Sequence, residues 1–436
     1  MSRQKQLVGF EAELFTLDSN GKIMDGADIL LAQSSRDKRS ALKKECAGNM
    51  LEIASSPHER IPKAMGSLLS DLEYALDIAQ KKGVLLCPLG TYPGKFTPRM
   101  RIEKGYKIKE DIFGKSTFRI AGRCIGFHCH YTLPRGIFDY QLRMIQMMAL
   151  TRVRDSLVNS YNTLIAIDPA LTTLMQSSPY YQGERLGKDA RLIMYRGGEV
   201  LDNPRGLYAK FQEFGRLPPY KPTTLDIVDM VMTRFDTWKM YLMSLGINIR
   251  TLSLYGSVLA TTWNPVKVNP HGTLEQRGMD MNHPLCILGV GVLMKFLLRT
   301  LQRERYAVVP SEIGIKEPFK VEKDVIYVPP YPYVRTVLQK EAAYRGLESD
   351  EVHKYCKRFL KLASEMVPRN RRNLLAPLHH MVAEKKTLSD KIIRMAARLG
   401  HKNQTLSDSA AAEIAIRHSE RFVEEINMTK QLIEAL

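Results

Sequence analysis

Polar residues spaced two apart constrain this chain more than any other feature. Glu11-Ala12-Glu13, the stretch from Glu45 to Glu52, His128-Cys129-His130 and Glu275-Gln276-Arg277 each gather acidic, imidazole or guanidinium groups, although they lie far apart in the chain. In an extended strand, residues i and i+2 share a face, so each such pair presents both polar groups to one side of a sheet. Two ionised carboxylates on one face repel unless cations neutralise them. Metal binding resolves that conflict. Magnesium prefers oxygen ligands near octahedral geometry and keeps waters and phosphate oxygens as partners, so glutamates converging on one cleft suit ATP chemistry better than a closed structural cage.

Each stretch has a plainer explanation when taken alone. Glu11 and Glu13 also fit a solvent-facing strand edge. Glu45 and Glu52 can share a site only if the segment between them bends, which Gly48-Asn49 permits. His128 and His130 could be hydrogen-bonded core residues or neutral imidazole ligands. Glu275 and Arg277 could form a simple salt bridge, or place a carboxylate on a metal and a fork of N–H donors on phosphate.

The 436 residues allow a substantial core, and 44% hydrophobic with 25% charged residues is an ordinary globular balance. The most apolar stretch, Pro284 to Leu298, is interrupted by Lys295 and falls short of the roughly 20 residues of a membrane span. The amino-terminal sequence carries no apolar signal region, and the six cysteines include no CxxC pair. A cytoplasmic protein with reduced thiols and no membrane partner is expected. Cys129 between two histidines suggests zinc, but on a strand its sulfur points away from both imidazoles. The formal charge of +18 concentrates anions such as nucleotides and acidic amino acids, and equally favours nucleic acid. Basic clusters at Lys357, Arg358 and Lys361, and at Arg369, Arg371 and Arg372, lie away from the acidic motifs and read as solvated helical surface. Nucleic acid is therefore not the expected partner.

Along the chain, a strand over Gln6 to Asp18 ends in the turn sequence Ser19-Asn20-Gly21-Lys22. Apolar spacing predicts a helix over Pro62 to Lys82, then strands over Val84 to Tyr92 and Arg119 to Leu133. A long helix is expected over Asp139 to Ile167, interrupted by Asp168-Pro169. Residues 177–222 read as a long loop or lid, rich in glycine, proline and arginine. A helix over Leu225 to Leu245 and a strand-turn-strand region over Leu252 to Arg277 follow. Helices are expected over Leu285 to Arg305, Tyr333 to Arg345, Asp350 to Met366, Leu388 to Leu399 and Asp408 to Leu436. The pattern is α+β, with a catalytic part over 1–283 and a helical region over 284–436 packing on it.

Six segments in order carry a resemblance: GFEAELFTLD (Gly9 to Asp18), ECAGNMLEIASSPH (Glu45 to His58), LGTYPGKF (Leu89 to Phe96), GFHCHY (Gly126 to Tyr131), SSPYYQG (Ser177 to Gly183) and PHGTLEQRGMD (Pro270 to Asp280). Together they resemble the type 2 glutamate-cysteine ligase family, within the glutamine-synthetase-like carboxylate-amine ligases. The resemblance implies a curved, mainly antiparallel sheet that holds ATP through metals, and no glycine-rich phosphate loop is present. It implies that Glu11, Glu13, Glu45, Glu52, His128 and Glu275 bind two or three magnesium ions, with manganese as a substitute. Arg277 and Arg191 would be catalytic, Arg277 on the transferring phosphoryl group and Arg191 on phosphate or the acidic substrate. His130, Lys267 and Tyr106 would bind substrate. The implied reaction phosphorylates a carboxylate, the γ-carboxylate of glutamate by expectation, and an amine such as cysteine then displaces phosphate to give an amide. Amino acids are the expected partners, and a homo-oligomer is compatible with the pattern. The chain departs from the family where relatives carry Asp and Arg after the tryptophan: here Trp263-Asn264-Pro265-Val266 precedes Lys267. A different acid, a larger amine, or an inactive basic binding protein are the alternatives.

Overall fold

The computed structural model describes residues 5–34, 41–402 and 405–435. Its organising element is a seven-stranded sheet. In chain order the strands are β1 (Val8–Leu17), β2 (Leu42–Lys44), β3 (Met50–Ala54), β4 (Leu85–Cys87), β5 (Gly126–Thr132), β6 (Val266–Asn269) and β7 (Thr273–Asp280). They lie in the order β6-β7-β5-β1-β3-β2, with β4 pairing the end of β1, and every pairing is antiparallel. The fold is α+β.

Alternation divides the sheet into two unlike faces. Phe10, Ala12 and Leu14 of β1, Leu51 and Ile53 of β3, and Phe127, Cys129 and Tyr131 of β5 are all buried. The Phe10 and Phe127 rings stack at 5.8 Å. Helix Ile61–Lys81 packs on β1 and β3, Pro284–Glu304 on β5, Thr151–Leu174 on β6 and β7, and Asp408–Glu434 on β4. Burying one such large apolar side chain stabilises by about 1.5–3 kcal/mol, so this face holds the sheet and helices together. The Pro284–Glu304 helix is long and apolar enough to cross a membrane, yet 83% of its apolar window is buried inside the protein, as in a core helix.

Several expected elements differ from the observed ones for identifiable reasons. The turn at Asp18–Lys22 forms as expected, with the Asp18 carboxylate accepting from the Asn20 and Lys22 amides and Gly21 at φ 77°. The predicted helix from Asp139 begins only at Thr151; before it, Phe138–Asp139 and Met144–Ile145 form a small hairpin whose turn is held by Asp139 accepting from the Gln141 and Leu142 amides. Pro169 does not interrupt that helix, which runs to Leu174. The Thr172 and Thr173 hydroxyls bond the Asp168 and Pro169 carbonyls in this turn. Where a strand is expected from Leu252, Ile249–Tyr255 and Val258–Ala260 form two 3₁₀ helices, and a three-stranded sheet over Ala307–Pro310, Val321–Glu322 and Val325–Val328 lies within the region expected to be helical. The last expected helix ends at Glu434, and Leu436 lies outside the described residues.

Residues 177–222 form a connection with many buried side chains and the short helices Ala190–Arg196 and Gln212–Gly215. Ser177, Ser178, Tyr180, Lys188, Asp189, Arg191, Arg196 and Phe214 are all buried. Lys188, 2% exposed, pairs with Glu348 at 2.7 Å and with Asp390, clamping this connection to the carboxy-terminal helices. Removing one partner of a buried pair leaves the other charge uncompensated. Lys188→Met is expected to lower the free energy of unfolding by about 3 kcal/mol, read as a reduced urea midpoint with unchanged m-value.

Candidate active site

The strand register brings the acidic motifs together on the face opposite the core. Glu13 lies across from Glu52, and Lys43 flanks Glu52 on the other side. Glu11 faces His128, while His130 faces Glu275 and Lys267 faces Glu275 from β6. Six strands thus deliver one continuous polar row. Glu45 joins it because the chain turns back between β2 and β3, where the buried Asn49 amide donates to the Gly122 carbonyl at 3.1 Å. The row floors a cleft of about 270 Å³ walled by Tyr106, Tyr195, Tyr208 and Trp263.

Carboxylates outnumber the cations within reach. The His128 imidazole lies 3.0 Å from Glu11 and 3.6 Å from Glu13, and Lys43 lies 2.9 Å from Glu52 and 3.5 Å from Glu11. Burial and repulsion from Glu13 and Glu52 push the Glu45 carboxyl well above its usual range. Burial and the Glu11 charge raise Glu52. Burial would also raise Glu11 and Glu275, but His130 with His128 hold Glu11 well down, and Arg277, His130 and Lys267 hold Glu275 at about 2. Lys109 and Lys267 are both pulled down to about 8, chiefly by burial.

Three overlapping groups bring their ligand atoms within 4.8 Å of one another: Glu11 with Glu52 and His128, Glu11 with His130 and Glu275, and Glu13 with Glu45 and Glu52. Oxygen-rich donor sets with shared carboxylates fit magnesium or manganese. The His130 geometry fits as well. Its Nδ1 sits 3.0 Å from the Thr273 hydroxyl, whereas Nε2 is buried without a hydrogen-bond partner and faces Glu11 at 3.4 Å. An imidazole anchored at one nitrogen and open at the other is the arrangement of a metal ligand.

All but one of the expected site residues meet on this face. Glu11, Glu13, Glu45, Glu52, His128, Glu275, Arg277, Lys267 and Tyr106 line the cleft, and His130 lines the adjoining cavity of about 650 Å³. Lys267 reaches the site from its position opposite Glu275, its ammonium donating to the Thr262 carbonyl at 2.9 Å. Arg191 stands apart. Its buried guanidinium donates to the backbone carbonyls of Gly278 at 3.2 Å and Arg277 at 3.3 Å, so it supports the strand that carries Arg277 instead of contacting the cleft. That support is needed because the register shifts between Gln276 and Met279. At this irregularity a Cβ on Gly278 would come within 2.5 Å of Arg196 and 2.8 Å of Asp168.

Lys43 and Lys109 were missed by sequence reasoning. Lys43 stands two residues before Glu45, the same spacing as the recognised motifs. Lys109 lies one helical turn after Tyr106 on helix Lys104–Phe113, where i and i+3 share a face, and it sits 4.5 Å above the Trp263 ring. Tyr195 and Tyr208 lie in the irregular connection, where no periodicity marks them. Asn264, at the family departure, is buried, and its amide donates to the Glu213 and Arg216 carbonyls. It shapes the wall from behind.

The profile of glutamate-cysteine ligase family 2 (GCS2) matches residues 7–405. The chain belongs to this family. GCS2 proteins are ATP-dependent carboxylate-amine ligases. Among solved structures, the glutamate-cysteine ligase of Francisella tularensis, in complex with AMP, is similar with a TM-score of 0.60 and 14% identity, over 100% of this chain and 93% of that one. The bifunctional glutathione synthetase of Pasteurella multocida is similar with a TM-score of 0.59 and 12% identity, over 97% of this chain and 53% of that one. This GCS2 chain thus spans about half the length of the bifunctional enzyme. A comparison with curated proteins finds no match. At these identities the structural likeness establishes the fold.

Clustered carboxylates cost stability when no cation is bound. Glu45→Gln keeps the shape and removes a repelling charge, so in EDTA it is expected to raise the urea midpoint. A carboxyl whose folded pKa lies above its unfolded value of about 4.3 destabilises the fold as pH climbs past that value, so the gain grows towards alkaline pH. A divalent cation bound at this site would stabilise the parent by about 2.7 kcal/mol at a hundredfold excess over its dissociation constant, and is expected to stabilise the variant less.

Proposed function

We propose that this chain is an ATP- and magnesium-dependent ligase that activates the γ-carboxylate of glutamate as an acyl phosphate and joins it to an amine such as cysteine. The observation that carries the reading is the set of three overlapping ligand groups on one sheet face, with Arg277 at its edge 3.6 Å from Glu275. Bound there, magnesium supplies charge neutralisation for the triphosphate. The adjoining cavity, with Leu7, Pro57, Tyr140 and His271 in its lining, offers an apolar-walled space for a nucleoside. It meets the acidic row at Glu11 and His130, which leaves the 270 Å³ cleft for the acid and the amine.

In that cleft Arg277, Lys109 and Lys267 are the cations within reach of incoming anions. A substrate carboxylate oxygen attacks the terminal phosphorus and ADP leaves. The amine then attacks the acyl carbon, phosphate departs with the bond electrons, and the amine loses its proton. Arg277 is held by Glu275 so that its remaining N–H donors face the charge building on the phosphoryl oxygens, where preorganised donors contribute most to rate. Lys267 takes the place of the arginine that relatives carry beside the tryptophan as the cation for a substrate carboxylate. A second reading, the same chemistry with a bulkier amine, is favoured by the aromatic walls Tyr106, Tyr195, Tyr208 and Trp263.

The test is incubation of purified protein with magnesium, ATP, glutamate and a panel of amines, following ADP release and amide products by mass spectrometry. Glutamate-dependent γ-amide formation is expected. Product only with another acid, or no product with any pair, overturns the substrate assignment. Arg277→Ala is expected to lower kcat by about a hundredfold or more with the fold retained by circular dichroism, and Glu275→Gln to abolish turnover. Activity within a few-fold of the parent would refute these roles.

A further inference from the structure

A second cavity, of about 780 Å³, has a charge opposite to that of the acidic cleft. Its lining includes Arg60, Lys295, Arg299, Arg303 and Arg371, with Lys5 also present and Glu59 as its one acidic residue. It opens behind the sheet, where Tyr131 of β5 faces away from His128 and His130. Lys295, Arg299 and Arg371 crowd over one ring, lying 5.2, 6.0 and 5.8 Å from the Phe296 centroid. Among the described residues, no carboxylate forms an ion pair with any of the five. Lys295, only 6% exposed, finds the Glu59 backbone carbonyl, and burial together with Arg371 and Arg299 pulls it down to about 8. A fold gains nothing from concentrating like charges around a half-enclosed space unless an anion offsets them.

The floor of the cavity supplies an independent observation. Tyr131 is 1% exposed and lines the space, yet its hydroxyl has no hydrogen-bond partner; burial pushes the phenol up against the opposing pull of Arg299 and Arg303. Buried hydroxyls are seldom left unpaired, and an anion oxygen beside two guanidinium groups would satisfy this one.

We propose that this cavity is a second ligand site, taking a small molecule with two or more phosphate groups that reaches the Tyr131 hydroxyl between Arg299 and Arg303. Guanidinium forks match phosphate oxygens, and the enclosed form suits a compact polyanion. A nucleic-acid strand, by contrast, would track an open basic surface and leave a hydroxyl at the base of the cavity unmet. The inference is independent of the ligase reading.

The probe is inorganic tripolyphosphate, titrated calorimetrically into the full chain in EDTA at physiological salt. Without divalent cations the acidic cleft repels this anion, so binding there does not contribute. Saturable one-site binding is expected, unchanged in Glu275→Gln. It should weaken about tenfold or more in the Arg299→Ala/Arg303→Ala double variant, and severalfold in Tyr131→Phe, a conservative change that preserves the packing should the double variant fail to fold. The proposal is overturned by absent or non-saturable binding, by affinity unchanged in Tyr131→Phe and the folded double variant, or by loss in Glu275→Gln. It is also overturned if a short single-stranded RNA binds through the same residues at least tenfold more tightly.

Discussion

Repulsion between carboxylates that the strands force side by side is the constraint around which this protein is organised. Glu13 and Glu52 are directly cross-strand, Glu11 and Glu275 approach the same histidine, and Glu45 is folded back onto the first pair. No strand chooses this arrangement for its own stability. It persists because the reverse face of the same strands is a continuous apolar surface buried against helices, and a one-residue slip of register would exchange the two faces entirely. The core therefore enforces the polar row.

Arg277 depends on a further layer of support. At the irregularity after Gln276 the Arg277 amide donates to the Pro265 carbonyl at 2.8 Å, and Arg191 holds the carbonyls of Arg277 and Gly278 from behind. Beneath them Asp168, wholly buried, accepts from Arg196 at 2.6 and 2.9 Å and from Gln276 at 3.0 Å. Arg196 extends the network to Gln339 at 2.7 Å. One carboxylate thus ties a helix, the irregular connection, strand β7 and the carboxy-terminal region into a single rigid mount.

Period-two motifs made the acidic row legible from the amino-acid sequence, because alternation alone decides which face a strand residue occupies. Long helices with one apolar stripe, such as Ile61–Lys81 and Thr224–Ser244, were equally legible. Register was not. That Glu13 meets Glu52, or that Lys43 completes the row, follows from strand pairing that no local pattern encodes. The walls contributed by Tyr195 and Tyr208 come from a segment whose order arises from burial against the rest of the protein, so its composition resembled a mobile loop. Likeness to relatives implies a place for Arg191 on phosphate or the acidic substrate, whereas its hydrogen bonds to two backbone carbonyls give it a supporting place.

The link from Asp168 through Arg196 to Gln339 bears on modularity. Because the aim of a catalytic-face arginine is anchored partly by a side chain some sixty residues beyond the end of the sheet, the terminal helices are not an appendage that could be trimmed or transplanted at will. Chimeras spliced at that junction would inherit every acidic group and still lose the alignment on which phosphoryl chemistry relies.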